Sequence, residues 1–211
     1  MSELASIVGI AAALGIGAIS PGPSFVMIAR TAASAGRVNG LNAAIGMGLG
    51  ALIFGVASLL GLNALFLAVP VLYLSLKFFG GLYLAYLGFC IWRGAKQPLK
   101  VSPEVTLAHS SSRQDYLLLG LATQVSNPKT AIVYASVFAA FLPASPSIQY
   151  NFAVVTLVFI IEAGWYAIIA VALSSEAPRN AYLRFKKWVD RVAGGVLGTL
   201  GLKLVASTGQ H

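Results

Sequence analysis

Charge is what this chain most lacks. Of its 211 residues only 9% are charged and six are acidic, whereas a soluble domain carries about a quarter charged residues. That shortage excludes a water-soluble fold, and the 58% hydrophobic share with a mean hydropathy of +0.83 points to an integral membrane protein. Cysteine is nearly absent too. Cys90 stands alone, which excludes an internal disulfide and a cysteine metal cluster, and inside an apolar run it reads as a small core residue. Neither histidine lies in an apolar run. Soft metals want thiolate or imidazole and hard ones several oxygens, so no metal or other cofactor is expected. No Ser-His-Asp set or carboxylate pair shares a depth, so the chain does not read as an enzyme. Paired cysteines of a membrane redox carrier are missing as well.

What charge there is has a pattern. Six apolar spans fit at about 4 to 28, 41 to 62, 70 to 92, 115 to 142, 150 to 173 and 188 to 206, each near the roughly 20 residues that a 30 Å hydrocarbon core requires. Arg30 and Arg37 follow the first span. Arg93, Lys96, Lys100 and Arg113 follow the third, and Arg179, Arg184, Lys186, Lys187 and Arg191 follow the fifth. The connections at 63 to 69 and 143 to 149 hold no Lys or Arg. By the positive-inside rule the basic loops face the cytoplasm and both termini lie outside. The net charge of +8 therefore reports orientation, and nucleic acid is not an expected partner. Met1-Ser2-Glu3 lacks the basic start of a signal peptide, so the first apolar segment is expected to remain as a span. Basic and aromatic residues from Tyr182 to Trp188 suit the headgroup layer of membrane lipid.

Two spans are interrupted. Ser20-Pro21-Gly22-Pro23 sits in an uncharged run from Leu4 to Ala29, and Ser126-Asn127-Pro128-Lys129 breaks the fourth span. Inside a helix Pro costs about 3 kcal/mol and Gly about 1 relative to Ala, and hydrocarbon offers the freed carbonyls no water. The breaks also align: Leu14-Gly15 precedes Pro23 by eight residues, as Leu119-Gly120 precedes Pro128. Lys77-Phe78-Phe79-Gly80-Gly81 similarly matches Arg191-Val192-Ala193-Gly194-Gly195. The polar stretch 93–114, with Pro98, Pro103 and His109, acts as a cytoplasmic linker between a first repeat at 1–92 and a second at 115–211. Three spans per half is an odd number, so the repeat is inverted. The expected fold is an all-α membrane protein of six transmembrane helices in an inverted 3+3 repeat, with helices 1 and 4 broken, the arrangement that marks a transporter's binding site. Gly46, Gly48, Gly50, Gly55 and Gly61 read as small faces for close helix packing, and they leave a homo-oligomer open.

Eleven of the fourteen basic residues lie in the three basic loops; Lys77, Lys129 and Lys203 do not. Lys77 and Lys203 fall near outer span ends and can snorkel to headgroups. Lys129 is buried about 20 Å along its span, and Glu162 in the fifth span comes to a similar depth. A central charge costs at least about 3 kcal/mol, so each needs a partner or a cavity. One reading pairs Lys129 with Glu162, or lets Lys129 cap carbonyls released by Pro128. The other has Glu162 exchange a proton or hold a substrate ammonium while Lys129 meets a carboxylate. The break at Pro21, Gly22 and Pro23 adds bare N–H groups and unpaired carbonyls suited to a zwitterion. Gln124 and Asn127 supply neutral donors and acceptors beside Pro128; Ser20 and Ser126 either join them or satisfy local backbone.

Pro21-Gly22-Pro23, Gly36-Arg37-x-x-Gly40, Gly81-x-Tyr83-Leu84-x-Tyr86-Leu87-Gly88, Asn127-Pro128-Lys129 and Pro143 together resemble the lysine exporter superfamily, and more closely its homoserine, threonine and leucine exporter branch. The resemblance implies a six-helix amino-acid exporter of the bacterial inner membrane, driven by protons. Val133-Tyr134 stands where members often carry Phe, which bears on pocket polarity. A cationic substrate would want a second buried acid besides Glu162, which favours small neutral amino acids over basic ones. Export of basic amino acids, another metabolite or a cation on the same scaffold is the alternative.

Overall fold

A computed structural model describes residues 2–20, 22–68, 70–97, 112–143 and 145–208. Pro21 and linker residues 98–111 lie outside these, so the readings placed on Pro21, Pro98, Pro103 and His109 are not addressed by it. Among the described residues the chain forms eight helices and no strand: α1 (Glu3–Ile19), α2 (Pro23–Ala35), α3 (Arg37–Ala68), α4 (Pro70–Gly94), α5 (Arg113–Val125), α6 (Pro128–Phe141), α7 (Ile148–Leu173) and α8 (Glu176–Thr208). Three of them, α3, α4 and α7, are long and apolar enough to cross a membrane, and α1 with α2 makes a fourth if that pair, bent by 57°, is one span.

Both expected breaks are present, and each ends in the same way. Pro23 is the first residue of α2 and Pro128 the first of α6, the position where a missing N–H costs nothing and the fixed φ suits the helix. The helices also run further than the apolar spans. Arg30 lies inside α2, and α3 begins at Arg37, so the expected loop at 30–40 shrinks to Gly36, whose φ of 86° accommodates a reversal that a side chain would strain. The basic stretch expected as a loop at 174–191 is helical from Glu176 onward. Polarity ends a span without ending a helix, because backbone hydrogen bonds continue into the headgroup layer.

Helix caps and long-range hydrogen bonds fix one end of the bundle. Ser2 caps α1 and Ser147 caps α7. The Glu3 carboxylate then accepts from Ser147 N at 2.7 Å and Ser147 Oγ at 3.0 Å, tying the two caps together. One turn deeper, Ser6 Oγ donates to the Phe141 carbonyl at 2.6 Å and lies 2.6 Å from the Tyr150 hydroxyl. At the opposite end Phe25 of α2 stacks on Tyr182 of α8 with centroids 4.9 Å apart, and Lys186 pairs with Asp190 at 2.6 Å.

Between these ends the core is divided. One apolar cluster, toward the Glu3 end, includes Ile10, Leu14, Val137, Phe138, Tyr150, Val154, Val158 and Leu197. A second, toward the Gly36 end, includes Phe25, Ile28, Met47, Tyr116, Tyr166, Ile169 and Leu173. The buried face of α7 passes through both at four-residue spacing, by Tyr150, Val154, Val158, Glu162 and Tyr166. Glu162 falls where one cluster hands over to the other. Large apolar residues such as Leu60, Val71, Phe79, Phe89, Phe152, Ile160, Val192 and Leu202 point outward, far more apolar surface than a soluble monomer exposes.

Two of the glycines expected to allow close packing do so next to the dividing layer. A Cβ on Gly46 would collide with the Leu117 carbonyl of α5, and one on Gly50 would stand 2.7 Å from Gln124 Cβ. Gly61, by contrast, faces open space. Replacing Gly46 with Leu is expected to push α5 off α3 and cost about 1–3 kcal/mol, read as a lower melting temperature in detergent. Gly61→Leu should leave the melting temperature unchanged.

Candidate functional site

The polar layer is built from the two breaks and the middle of α7. Pro21 has no N–H, so the carbonyl four residues earlier, that of Gly17, loses its helical donor. The C-terminal turn of α1 thus presents unpaired carbonyls and a partial negative charge. Lys129, in the first turn of α6, supplies what is missing: Nζ donates to Gly17 O at 3.1 Å and to Ser20 O at 2.9 Å. The lysine therefore caps carbonyls at the C-terminal end of α1, in the other half of the chain, and not those released by Pro128. Nor is it in direct ion contact with Glu162 among the described residues.

Glu162 has its own partners. A single directed chain of hydrogen bonds reaches it from the second break. The Lys129 backbone N–H donates to Asn127 Oδ1 at 3.0 Å, Asn127 Nδ2 to Ser24 Oγ at 2.8 Å, and Ser24 Oγ to Gln124 Oε1 at 2.8 Å. Gln124 Nε2 then donates to Glu162 Oε2 at 3.1 Å, and the Tyr134 hydroxyl to Oε1 at 3.1 Å. Every donor points toward the carboxylate. Such a chain polarises along its length, and it joins α2, α5, α6 and α7. Ser24, Gln124, Asn127, Tyr134 and Glu162 are all buried, where an unpaired polar atom costs about 1–3 kcal/mol.

One polar atom in the layer is left over. Ser20 Oγ is buried without a hydrogen-bond partner among the described residues and lines a small cavity with Gly17, Gly22, Asn127, Lys129, Tyr134 and Glu162. The space open to the centre of a water-sized sphere is about 20 Å³, room for a water and little more. As it stands the cavity is too small for an amino acid, which enters only if its lining rearranges.

Of the residues singled out in the sequence, Ser20, Gly22, Asn127, Lys129 and Glu162 line this cavity, and Gln124 braces Glu162 from behind. Pro23, Pro128 and Ser126 are exposed and serve the breaks instead. Sequence reasoning missed Ser24, Thr130 and Tyr166, which also line the cavity. Spacing carried the signal for Tyr166, one turn beyond Glu162 on the same buried face. Ser24 adjoins the first break, but a lone hydroxyl in an apolar helix is usually satisfied by its own backbone.

Comparison with known proteins fits this arrangement. The model of the LysE type translocator family matches residues 15–208. This chain belongs to that family. It is 30% identical over 192 residues to the threonine efflux protein of Escherichia coli K12, covering 90% of this chain and 92% of that protein. The threonine efflux protein of Salmonella typhi is 31% identical with the same coverage. The leucine efflux protein of Enterobacter sp. (strain 638) is 26% identical over 183 residues, 85% of this chain and 83% of that one. No solved structure matches the chain. The family expected from the broken-helix motifs is the one found.

Replacing Lys129 with Met would leave the Gly17 and Ser20 carbonyls without their donor. The expected loss is about 1–3 kcal/mol, measured as a drop in melting temperature in detergent, with Lys203→Met, an exposed lysine, unchanged.

Proposed function

We propose that this protein exports small neutral amino acids such as homoserine, threonine or leucine across the bacterial cytoplasmic membrane by proton-coupled alternating access. In this reading α1 with α2 and α5 with α6 each cross as one broken span, giving six spans in an inverted 3+3 repeat of 1–92 and 115–211 joined by the cytoplasmic linker, with both termini outside. The matching Pro23 and Pro128 helix starts support the repeat. Relatives that are named for threonine and leucine efflux support the substrate class, and transport relatives argue against an enzyme.

The observation that carries the proposal is the Lys129 ammonium resting on the C-terminal carbonyls of α1, beside Glu162 and the unpartnered Ser20 hydroxyl. An amino acid is itself an ammonium and a carboxylate. Its ammonium can take the Gly17 and Ser20 carbonyls from Lys129 while its carboxylate takes the released lysine and Ser20 Oγ. Each bond broken inside the protein is replaced by one to the substrate, so binding requires movement at the breaks with little net loss of hydrogen bonding. A cationic side chain would need a second acid, and Glu162 is the one acid lining the cavity among the described residues.

The direction of the hydrogen bonds supports proton coupling. As a carboxylate, Glu162 accepts from Gln124 and Tyr134. Once protonated it gains an O–H that needs an acceptor, which the Tyr134 hydroxyl or a turned Gln124 amide can supply. If Gln124 turns, Ser24 and Asn127 must rearrange too, and Asn127 caps α6 at the second break. By that route a change of protonation at Glu162 alters the bonding at the helix start that carries Lys129. One proton entering through about 150 mV supplies roughly 3.5 kcal/mol, enough for a gradient of about 300-fold.

Proteoliposomes loaded with a mixture of amino acids test this. Release of one or a few neutral amino acids, accelerated by an imposed pH gradient, is expected. Glu162→Gln, which cannot change protonation, is expected to remove the acceleration while the protein remains folded. Gradient-driven release by that variant would take Glu162 out of the coupling.

A further inference from the structure

A second cavity lies away from the polar layer, between α4, α6 and α8 at the end of the bundle where α6 terminates at Phe141. The space open to the centre of a water-sized sphere is about 280 Å³, more than ten times that of the central site. Its floor is apolar, formed by Leu84, Val137, Leu200 and Leu204, and Lys77 and Lys203 reach it from α4 and α8. No acidic side chain lines it, and neither lysine has a hydrogen bond or ion pair among the described residues. Two uncompensated ammonium groups on one apolar cavity form an unusual combination. Snorkelling accounts for a lysine near a span end, but not for two that converge on the same hollow.

We infer that this cavity is a binding site for an anionic phospholipid, its phosphate held between Lys77 and Lys203 and part of an acyl chain lying over Leu84, Val137, Leu200 and Leu204. The charge complementarity selects the anion, and the floor selects an amphiphile over a free ion. Lys77 is about 10 Å along α4 from Pro70, and Lys203 about 7 Å from the end of α8, close enough to their helix ends for long side chains to meet the headgroup layer. Placing this layer in the outer leaflet rests on the orientation proposed above; lipid capture itself does not. Because α6 carries Lys129 at its start and Val137 in this floor, the lipid would seat against the same helix that forms the central site.

The test offers the purified protein phosphatidylglycerol and phosphatidylcholine with identical chains in detergent, and measures retained lipid by native mass spectrometry. Wild type is expected to retain phosphatidylglycerol at least about tenfold better, given the contribution of two lysines near a phosphate. The Lys77→Gln/Lys203→Gln double variant should lose the preference and the Lys77→Arg/Lys203→Arg double variant should keep it. Leu84→Trp, which fills the floor and spares both lysines, should reduce retention. Equal retention of the two lipids by wild type, or an unchanged preference in the glutamine double variant, would overturn the assignment, as would displacement of the lipid by inorganic phosphate alone. The readout contains no flux. A protein that exported no amino acid could still hold the lipid, so failure of the transport reading and failure of this one are distinguishable.

Discussion

The contact between Lys129 and the carbonyls of Gly17 and Ser20 joins the two breaks of this protein. Each partner is a liability alone. A free ammonium at mid-depth would cost at least about 3 kcal/mol, and the end of α1 cannot satisfy its own carbonyls past Pro21. Joined, they cancel: the cation meets the negative end of a helix dipole. The surrounding polar layer obeys the same rule, since Glu162 is buried only because Gln124 and Tyr134 both donate to it. An interaction that exists to satisfy stranded groups is also one that a substrate bearing the same groups can replace.

Division of the apolar core reinforces this. The cluster around Phe138 and Val158 and the cluster around Phe25 and Ile169 are each packed within themselves, while the layer between them is hydrogen-bonded around a cavity of about 20 Å³. The alternating access proposed above requires the two ends to open in turn around that layer. At one end Glu3, Ser6, Ser147 and Tyr150 close the bundle by direct hydrogen bonds. The Phe25 and Tyr182 stack closes part of the other.

Much of this was legible in the chain before any coordinates. Proline twice in an apolar run announces a break, and a lysine and an acid at one depth announce a polar layer, because lipid makes both costly. The partner of Lys129 was not legible. A backbone carbonyl leaves no mark in the sequence, and Gly17 lies 112 residues away. Pairing with Glu162 was a natural expectation, but Lys129 donates to the Gly17 and Ser20 carbonyls, while the Glu162 oxygens accept from Gln124 and Tyr134. Helix ends were misjudged at Arg30 and at 176–191 for a different reason: hydropathy registers where lipid stops, and the α-helix does not stop there. Tyr134 drew notice only as a departure from family habit; its bond to Glu162 depends on how α6 is turned, which the break sets.

The central claim is that Lys129 exchanges its α1 carbonyls for the carboxylate of an amino acid. Equilibrium binding of radiolabelled threonine and leucine to the purified protein, with unlabelled methyl esters as competitors, tests it most directly. Saturable binding by wild type, its loss in Lys129→Met, and no competition from the esters is the predicted result. Wild-type affinity in Lys129→Met, or full competition by an ester that lacks the carboxylate, would contradict it.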